Sequence, residues 1–302
     1  MKDTLTVAGA QYPIDAVVSI DAWKDKIASW VKEGAETGAE LLVFPEYGSI
    51  EQAHALGPQV YGDLDATLEA IAELAAERIA HHAELARRHN VHILVGSGPS
   101  KRADGRYVNA TQLVAPSGAV AEQHKLILTP FERNWNMAAG DEIAVFDTRI
   151  GIIATAICYD CEFPYLARAM AMAGTEVLLV PQCTERISGH HRVRTGAMAR
   201  ALENQIAAVT SPTIGDAPWS AAVDFNTGAA GIFVPAEFGV SDNGVLAEGR
   251  VNEPGWVAAT INLHHLRKLR YGGEMRNFTD WLEQPGAPEA ETRARVKVHK
   301  LD

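Results

Sequence analysis

Short apolar runs alternate with amphipathic stretches along most of the chain. Residues 4–12, TLTVAGAQY, are an apolar run rich in β-forming residues and predict a buried strand. Trp23, Ile27 and Val31 then recur at the 3.6-residue spacing of a helix, with Ser19 as the candidate N-cap. The chain therefore opens with a predicted strand followed by a predicted amphipathic helix.

The same alternation continues to about residue 263, with one interruption. Residues 107–123 predict a hairpin whose turn is Pro116–Gly118. The other predicted strands are residues 41–44, 91–98, 142–158 (two strands), 177–183, 206–212, 229–238 and 255–263. The other predicted helices are residues 66–90, 163–176 and 191–205.

This order of elements predicts the fold class. Strands that alternate with helices predict sheets covered by helices, and the hairpin adds antiparallel pairs, so the sheets should be mixed. We find no linker and no repeat, and we expect one α/β sandwich domain over residues 1–280. The pattern is lost over residues 281–302, which we expect to form a C-terminal tail that could pack on a partner subunit.

Composition and charge narrow the classes of function. The 302 residues carry a formal net charge of −11, which disfavours nucleic-acid binding and anionic membranes because both need a basic patch. Three cysteines do not make a disulfide framework and favour a reducing compartment. The N-terminus does not resemble a signal peptide, and no apolar run is long enough to cross a bilayer. We therefore expect a cytoplasmic protein.

Chemically capable side chains follow several of the predicted strands. Glu46 comes after LLVFP and Cys158 after IIATAI, while Lys125 lies in HKLILTPFE, which follows the hairpin and ends in Glu132. Strand ends are where α/β folds place catalytic groups, because the sheet fixes the side chain and the loops form a pocket. A cysteine attacks as its thiolate, a carboxylate can take the thiol proton, and a lysine can stabilise negative charge on a substrate.

These segments resemble a known family. FPEY around Glu46, HKLILTPFE around Lys125 and ICYDCEFP around Cys158 are similar, in order and spacing, to the motifs of the nitrilase superfamily of carbon–nitrogen hydrolases. ARALENQ at residues 199–205 and the first strand, ending in Gln11, are also similar to that family. The resemblance extends to about residue 270. Each motif alone is weak, but three in the family's order make the resemblance specific.

The resemblance implies a fold and a set of roles. It implies a four-layer αββα sandwich with mixed sheets, usually dimerised through its helices. Cys158 would be the nucleophile, Glu46 the general base and Lys125 the oxyanion stabiliser. The backbone N–H of Tyr159 would be a second oxyanion donor, and Glu132 would help to position the substrate and the departing amine. We expect no cofactor, no metal and a homodimer or higher homo-oligomer.

The proposed base also needs a particular environment. A carboxylate that both takes and returns a proton needs a pKa raised toward neutrality, which burial beside apolar walls would supply. Phe44, Tyr47 and Phe131 are the candidate walls, because they adjoin Glu46 and Glu132 in the sequence.

The residues after the predicted nucleophile bear on the substrate. Tyr159-Asp160 is typical of amidases in this family, whereas nitrilases commonly carry Trp-Glu there. Two departures from the family pattern are Pro164-Tyr165, where many members have Pro-Glu, and the additional Cys161. We predict hydrolysis of a small-molecule linear amide through a thioester, with N-carbamoyl amides and nitriles as alternative substrates. A catalytically silent binding or regulatory family member is the alternative from another class.

The cysteines allow two further interpretations. Cys158 and Cys161 have the C-x-x-C spacing of a thioredoxin-like redox site, but the expected short βαβ start is missing, and core packing or a pocket wall is favoured for Cys161. A zinc site could be assembled from these two residues with Cys183, His190 and His191, although zinc sites usually show two close ligand pairs.

Overall fold

The computed structural model describes residues 2–284, 287 and 296–302. The strands are β1 (Thr4–Pro13), β2 (Leu41–Val43), β3 (His92–Leu94), β4 (Gly98–Lys101), β5 (Tyr107–Val114), β6 (Val120–His124), β7 (Ile143–Thr148), β8 (Gly151–Thr155), β9 (Val177–Gln182), β10 (Ala207–Asp216), β11 (Phe225–Asn226), β12 (Gly231–Phe233), β13 (Val245–Glu248), β14 (Gly255–Asn262) and β15 (Val296–Lys300).

The helices are α1 (Ile20–Glu36), α2 (Gln52–Ala55), α3 (Pro58–Tyr61), α4 (Leu64–Glu73), α5 (Ala75–His89), α6 (Pro130–Asn134), α7 (Pro164–Met172), α8 (Ile187–Asn204), α9 (Leu263–Gly272) and α10 (Asn277–Asp280). Short 3-10 turns lie at Gly48–Glu51, Cys158–Glu162 and Trp281–Glu283. In the described part of the chain, no helix combines the length and the apolar character needed to span a bilayer.

The strands form two mixed sheets that join near the C-terminal ends of β1 and β10. The first sheet has the order β14-β1-β2-β3-β5, with β4 and β6 also paired to β5. The second has the order β15-β7-β8-β9-β10-β12-β13. The two sheets join where Tyr12 and Pro13 pair in parallel with Thr213 and Ile214. Parallel and antiparallel pairs occur in both sheets, as predicted.

Side-chain alternation along the strands produces four layers. In β1, Leu5 and Val7 enter the core between the two sheets, while Ala8 and Ala10 face the helices, because successive strand residues point to opposite faces. α1 and α5 cover the outer face of the first sheet, and α7 and α8 cover that of the second. The predicted four-layer αββα sandwich is confirmed.

The long helix predicted over residues 66–90 is divided. α4 ends at Glu73, and α5 begins at Ala75, with Leu74 between them. The guanidinium of Arg78, which is buried, donates to the carbonyl oxygen of Ile71 at 3.2 Å. A side chain that takes a carbonyl out of the helical ladder is a known cause of a helix break, and the sequence pattern did not reveal it.

The end of the chain adds a strand that the sequence analysis did not predict. β15 pairs in parallel with β7 of the same chain, and Leu301 is buried between the two sheets. The Asp302 carboxylate accepts the backbone N–H of Arg149 at 2.8 Å and lies 3.0 Å from His92 Nε2. The last residues of the predicted tail therefore pack on their own domain. The domain limits and a contact with a partner subunit stay predictions.

Candidate active site

A cavity of about 410 Å³ opens where the two sheets converge. The side chain of Thr213, on β10, donates to the backbone carbonyl of Glu46 at 2.5 Å and so ties the second sheet to the loop that follows β2. All the residues predicted for the site except Phe44 line this cavity: Glu46, Tyr47, Lys125, Phe131, Glu132, Cys158 and Tyr159. Side chains far apart in the sequence thus come together at one wall.

The Glu46 carboxylate is buried, and one of its oxygens accepts two hydrogen bonds. Its Oε1 accepts from Lys125 Nζ at 2.7 Å and from Asn109 Nδ2 at 2.9 Å, and its Oε2 accepts the backbone N–H of Cys183 at 2.9 Å. Burial raises the pKa of Glu46; the Lys125 charge opposes this and the Glu132 charge adds to it. A carboxylate with a raised pKa can both accept and return a proton near neutrality.

The ammonium group of Lys125 lies between two carboxylates. It is 2.7 Å from Glu46 Oε1 and 2.8 Å from Glu132 Oε2, and only 1% of its side chain is exposed. Burial lowers the pKa of Lys125, but the charges of Glu46 and then Glu132 outweigh burial and raise it well above its usual value. Lys125 is therefore a permanent buried cation.

Glu132 is the third residue of α6, and both of its carboxylate oxygens accept hydrogen bonds. It forms a capping box in which Thr129 accepts from the Glu132 N–H, and Glu132 Oε2 accepts from the Thr129 N–H at 2.8 Å and hydroxyl at 2.9 Å. Its Oε1 accepts from Tyr47 Oη at 2.8 Å and from Asn109 Nδ2 at 3.0 Å. Burial raises the pKa of Glu132, but the contact with Lys125 outweighs it and lowers the pKa, so this carboxylate stays ionised.

Cys158 opens a 3-10 turn shortly after β8, in a strained conformation. Its φ is +49°, a left-handed value that residues other than glycine seldom adopt. The thiol donates to the carbonyl oxygen of Cys183, which lies 3.8 Å from Sγ, and the Glu46 carboxylate lines the same cavity. Burial and then the Glu46 charge raise the pKa of Cys158 well above its usual value, against the opposing charge of Lys125. The resting thiol is therefore protonated and needs a base when it attacks.

Asp160 connects two segments of the site, a role that the sequence analysis missed. Its buried carboxylate accepts the backbone N–H groups of Ile127 at 2.7 Å, Leu126 at 3.2 Å and Ile157 at 3.2 Å. Burial raises the pKa of Asp160 to about 7, although Lys125 and the N–H groups of Ile127 and Leu126 oppose this. The carboxylate thus joins the segment after β6 to the turn after β8.

Asn109 is the second residue that sequence reasoning missed. It has no solvent exposure and lies on β5, where its Nδ2 atom contacts both Glu46 and Glu132. The available signal was an amide side chain near the start of the otherwise mainly apolar strand YVNATQLV. Asn109 lies within a strand, whereas the predicted catalytic residues all follow strands, so their pattern did not point to it.

The predicted walls have different positions. Tyr47 is buried and donates to Glu132, whereas Phe131 is 56% exposed at the mouth of the cavity. Tyr159 lines the cavity beside Cys158. The prediction for Phe44 is wrong, because its ring packs on the helix side of the first sheet, 5.3 Å from the ring of Trp256, and does not line the cavity. Successive side chains of an extended chain point to opposite faces, so the Phe44 ring lies on the face opposite the site.

The remaining cysteines have separate environments. Cys161 Sγ is buried 3.6 Å from the Val193 carbonyl oxygen on α8, and Cys183 Sγ lies 3.1 Å from Asn226 Oδ1. All three cysteines are free thiols. Among the described residues, no three His, Cys, Asp or Glu side chains are grouped as metal ligands would be. The geometry therefore gives no support to the zinc site considered from the sequence, and it places Cys161 in the core.

Comparison with known proteins identifies the family. The model of the family described as carbon-nitrogen hydrolase matches residues 6–234. The chain belongs to the carbon–nitrogen hydrolase family. The fold of this chain is similar to the crystal structure of Nit3 from Saccharomyces cerevisiae, a member of the nitrilase superfamily. The TM-score is 0.69 at 17% identity, and the match covers 89% of this chain and 94% of Nit3. The resemblance to the nitrilase superfamily is confirmed.

Two curated relatives of this carbon–nitrogen hydrolase family member are similar in sequence. Probable hydrolase YhcX from Bacillus subtilis is 33% identical over 271 residues, which cover 89% of this chain and 52% of YhcX. An (R)-stereoselective amidase from Pseudomonas sp is 31% identical over 185 residues, which cover 58% of this chain and 60% of the amidase. The chain spans only about half the length of YhcX.

Proposed function

We propose that this protein hydrolyses the carbon–nitrogen bond of a small-molecule linear amide through a thioester on Cys158. The observation that carries the proposal is that Glu46, Lys125 and Cys158 line one cavity, where the buried Glu46 carboxylate contacts the Lys125 ammonium. The Tyr159-Asp160 pair favours an amide over a nitrile, the amidase relative also supports an amide, and an N-carbamoyl amide is the nearest alternative substrate. A cavity of about 410 Å³ suits a small substrate.

Formation of the thioester uses each of the three residues. Cys158 Sγ attacks the amide carbon while Glu46 takes the thiol proton, because the raised thiol pKa disfavours a resting thiolate. The Lys125 ammonium and the Tyr159 backbone N–H stabilise the oxyanion, an effect of roughly 3 kcal/mol per donor in other enzymes. Glu46 then gives the proton to the nitrogen, the carbon–nitrogen bond breaks, and ammonia or an amine leaves.

Hydrolysis of the thioester repeats the same proton transfers. A water molecule attacks the thioester carbon while Glu46 accepts one of its protons. The carbon–sulfur bond then breaks, the acid product leaves, and Glu46 returns the proton to the Cys158 sulfur. Glu132 remains ionised throughout because Lys125 lowers its pKa, and it holds Lys125 in place.

The proposal is tested by ammonia release from a panel of linear amides, N-carbamoyl amino acids and nitriles. Cys158→Ala should abolish turnover of every substrate that the wild-type protein accepts, since no other group forms the thioester. Cys161→Ala is the matched control, because it removes a buried sulfur outside the cavity and should retain turnover. Turnover that survives Cys158→Ala would exclude the mechanism.

A binding or regulatory role would give a different result in the same panel. A silent family member would release no ammonia from any compound, yet a compound that fits the cavity would raise the melting temperature of wild-type protein and Cys158→Ala alike. The presence of Glu46, Lys125 and Cys158 at one cavity favours the hydrolase.

A further inference from the structure

The Asn109 side-chain amide contacts both glutamates, Glu46 and Glu132, and its backbone contacts that of Lys125. Nδ2 donates to Glu46 Oε1 at 2.9 Å and to Glu132 Oε1 at 3.0 Å, and the backbone carbonyl accepts the Lys125 N–H at 2.8 Å. Only the NH₂ end of the amide suits this place, because carboxylate oxygens are acceptors. The amide oxygen is buried without a partner among the described residues, so the contacts of the NH₂ end fix the side chain.

These contacts distinguish the two oxygens of Glu46. Oε1 accepts from Lys125 Nζ and from Asn109 Nδ2, which are both donors and occupy its two acceptor directions. Among the described residues, Oε2 has one hydrogen-bond donor, the backbone N–H of Cys183. A proton that arrives from Cys158 therefore has room only on Oε2.

We propose that Asn109 is a positioning residue that fixes the plane of the Glu46 carboxylate, so that Oε2 receives the Cys158 proton. The inference rests on the proposed function, in which Glu46 is the base. The terminal torsion of a glutamate is broad and soft, so a carboxylate held by Lys125 alone could rotate. The second donor, placed on a strand of the rigid sheet, removes that freedom and holds Glu132 at the same time.

The test uses two variants, Asn109→Ala and Asn109→Asp. Aspartate has nearly the same volume as asparagine, so the second variant keeps the test possible if Asn109→Ala does not fold. The readouts are kcat, KM and the rate at which iodoacetamide alkylates Cys158, measured across pH and assigned by peptide mass. Loss of a hydrogen bond to a charged group should lower the alkylation rate near neutral pH about tenfold to a hundredfold. It should lower kcat similarly and leave KM unchanged.

The pH profile gives the second signature. Loss of an N–H donor destabilises the ionised form of Glu46 and so raises its pKa. In Asn109→Asp, the added negative charge raises the pKa of Glu46 further. The acid limb of the pH profile of alkylation should therefore move to higher pH in both variants. The other groups that face Glu46 are unchanged in these variants: Lys125, Glu132, Cys158, Cys183 and Tyr47.

Thr111→Val is the matched control. Thr111 is buried two residues further along β5 and donates to the Val95 carbonyl at 2.6 Å, without a contact to either carboxylate. This variant should keep the wild-type alkylation rate and pH profile. Asn109 variants that behave like Thr111→Val would overturn the inference. Since alkylation needs no amide, the test stands even if the panel shows that the hydrolase proposal fails.

Discussion

At the scale of single residues, the two site glutamates differ through their neighbours. Both are buried and both contact Lys125, yet burial leaves the pKa of Glu46 raised, while Lys125 and several donors lower that of Glu132. One carboxylate can therefore exchange a proton and the other holds the lysine. Chemical identity alone does not predict this division, because it depends on contacts that form only in the folded chain.

The same limit explains what sequence reasoning found in the site. Glu46, Lys125 and Cys158 were predicted because reactive side chains after apolar runs stand out, and the structure places them together. Asn109 and Asp160 act by hydrogen bonds to residues distant in the sequence, and no local pattern encodes those partners. Their burial, and not their spacing, reveals them.

The raised pKa of Asp160 predicts a pH dependence of stability. A carboxyl whose folded-state pKa lies above its unfolded value stabilises the fold below the unfolded pKa, and that stability is lost as pH rises through the folded pKa. For Asp160 this window runs from 3.8 to about 7. The free energy of unfolding of the wild type, relative to Asp160→Asn, should fall across this window by at most ~1.4 kcal/mol per pH unit. Urea unfolding at several pH values measures it, and a difference that is constant with pH would contradict the prediction.

At the scale of elements, apolar content decided which strands could be predicted. β1, β7, β8 and β9 are buried runs, and the sequence predicted all of them. β15 was missed because charged residues and a histidine interrupt its sequence, VKVHK, and it lies at the edge of the sheet. An edge strand is stabilised by its pairing with the neighbouring strand, and its own sequence need not show that partner.

The residue after β15 should contribute strongly to stability. Leu301 is 5% exposed and belongs to the core between the sheets, so Leu301→Ala should lower the free energy of unfolding by about 2–5 kcal/mol. Val298→Ala, in a strand position that is 52% exposed, should cost no more than about 0.5 kcal/mol. Urea denaturation of both variants measures the difference. Equal, small losses would show that the end of the chain does not complete the core.

At the scale of the whole molecule, the layers place the site at the junction of the two sheets. Glu46 and Lys125 come from the first sheet and Cys158 from the second, and the Tyr12–Thr213 pairing holds the sheets together nearby. Neither sheet alone carries the whole set of reactive groups. The layered fold was predictable from the order of elements and the family resemblance, whereas this junction depends on long-range pairing that the sequence does not display.

Assembly is the remaining prediction at this scale. The family resemblance implies a homodimer formed through the helices, and α7 and α8 carry exposed apolar residues, among them Met172, Ile187 and Leu202. Sedimentation velocity should give twice the mass of one chain over a range of concentrations. A species of one chain mass at every concentration would contradict the predicted dimer.

The left-handed backbone at Cys158 has a practical consequence for trapping a bound compound. Alanine at this position would retain the unfavourable torsion, whereas glycine adopts it freely, at a benefit on the order of 1 kcal/mol. The sulfur-free protein best suited to long incubation with candidate compounds is therefore Cys158→Gly. This variant should be more stable because glycine relieves the backbone strain that the native chain accepts in order to place the Cys158 sulfur.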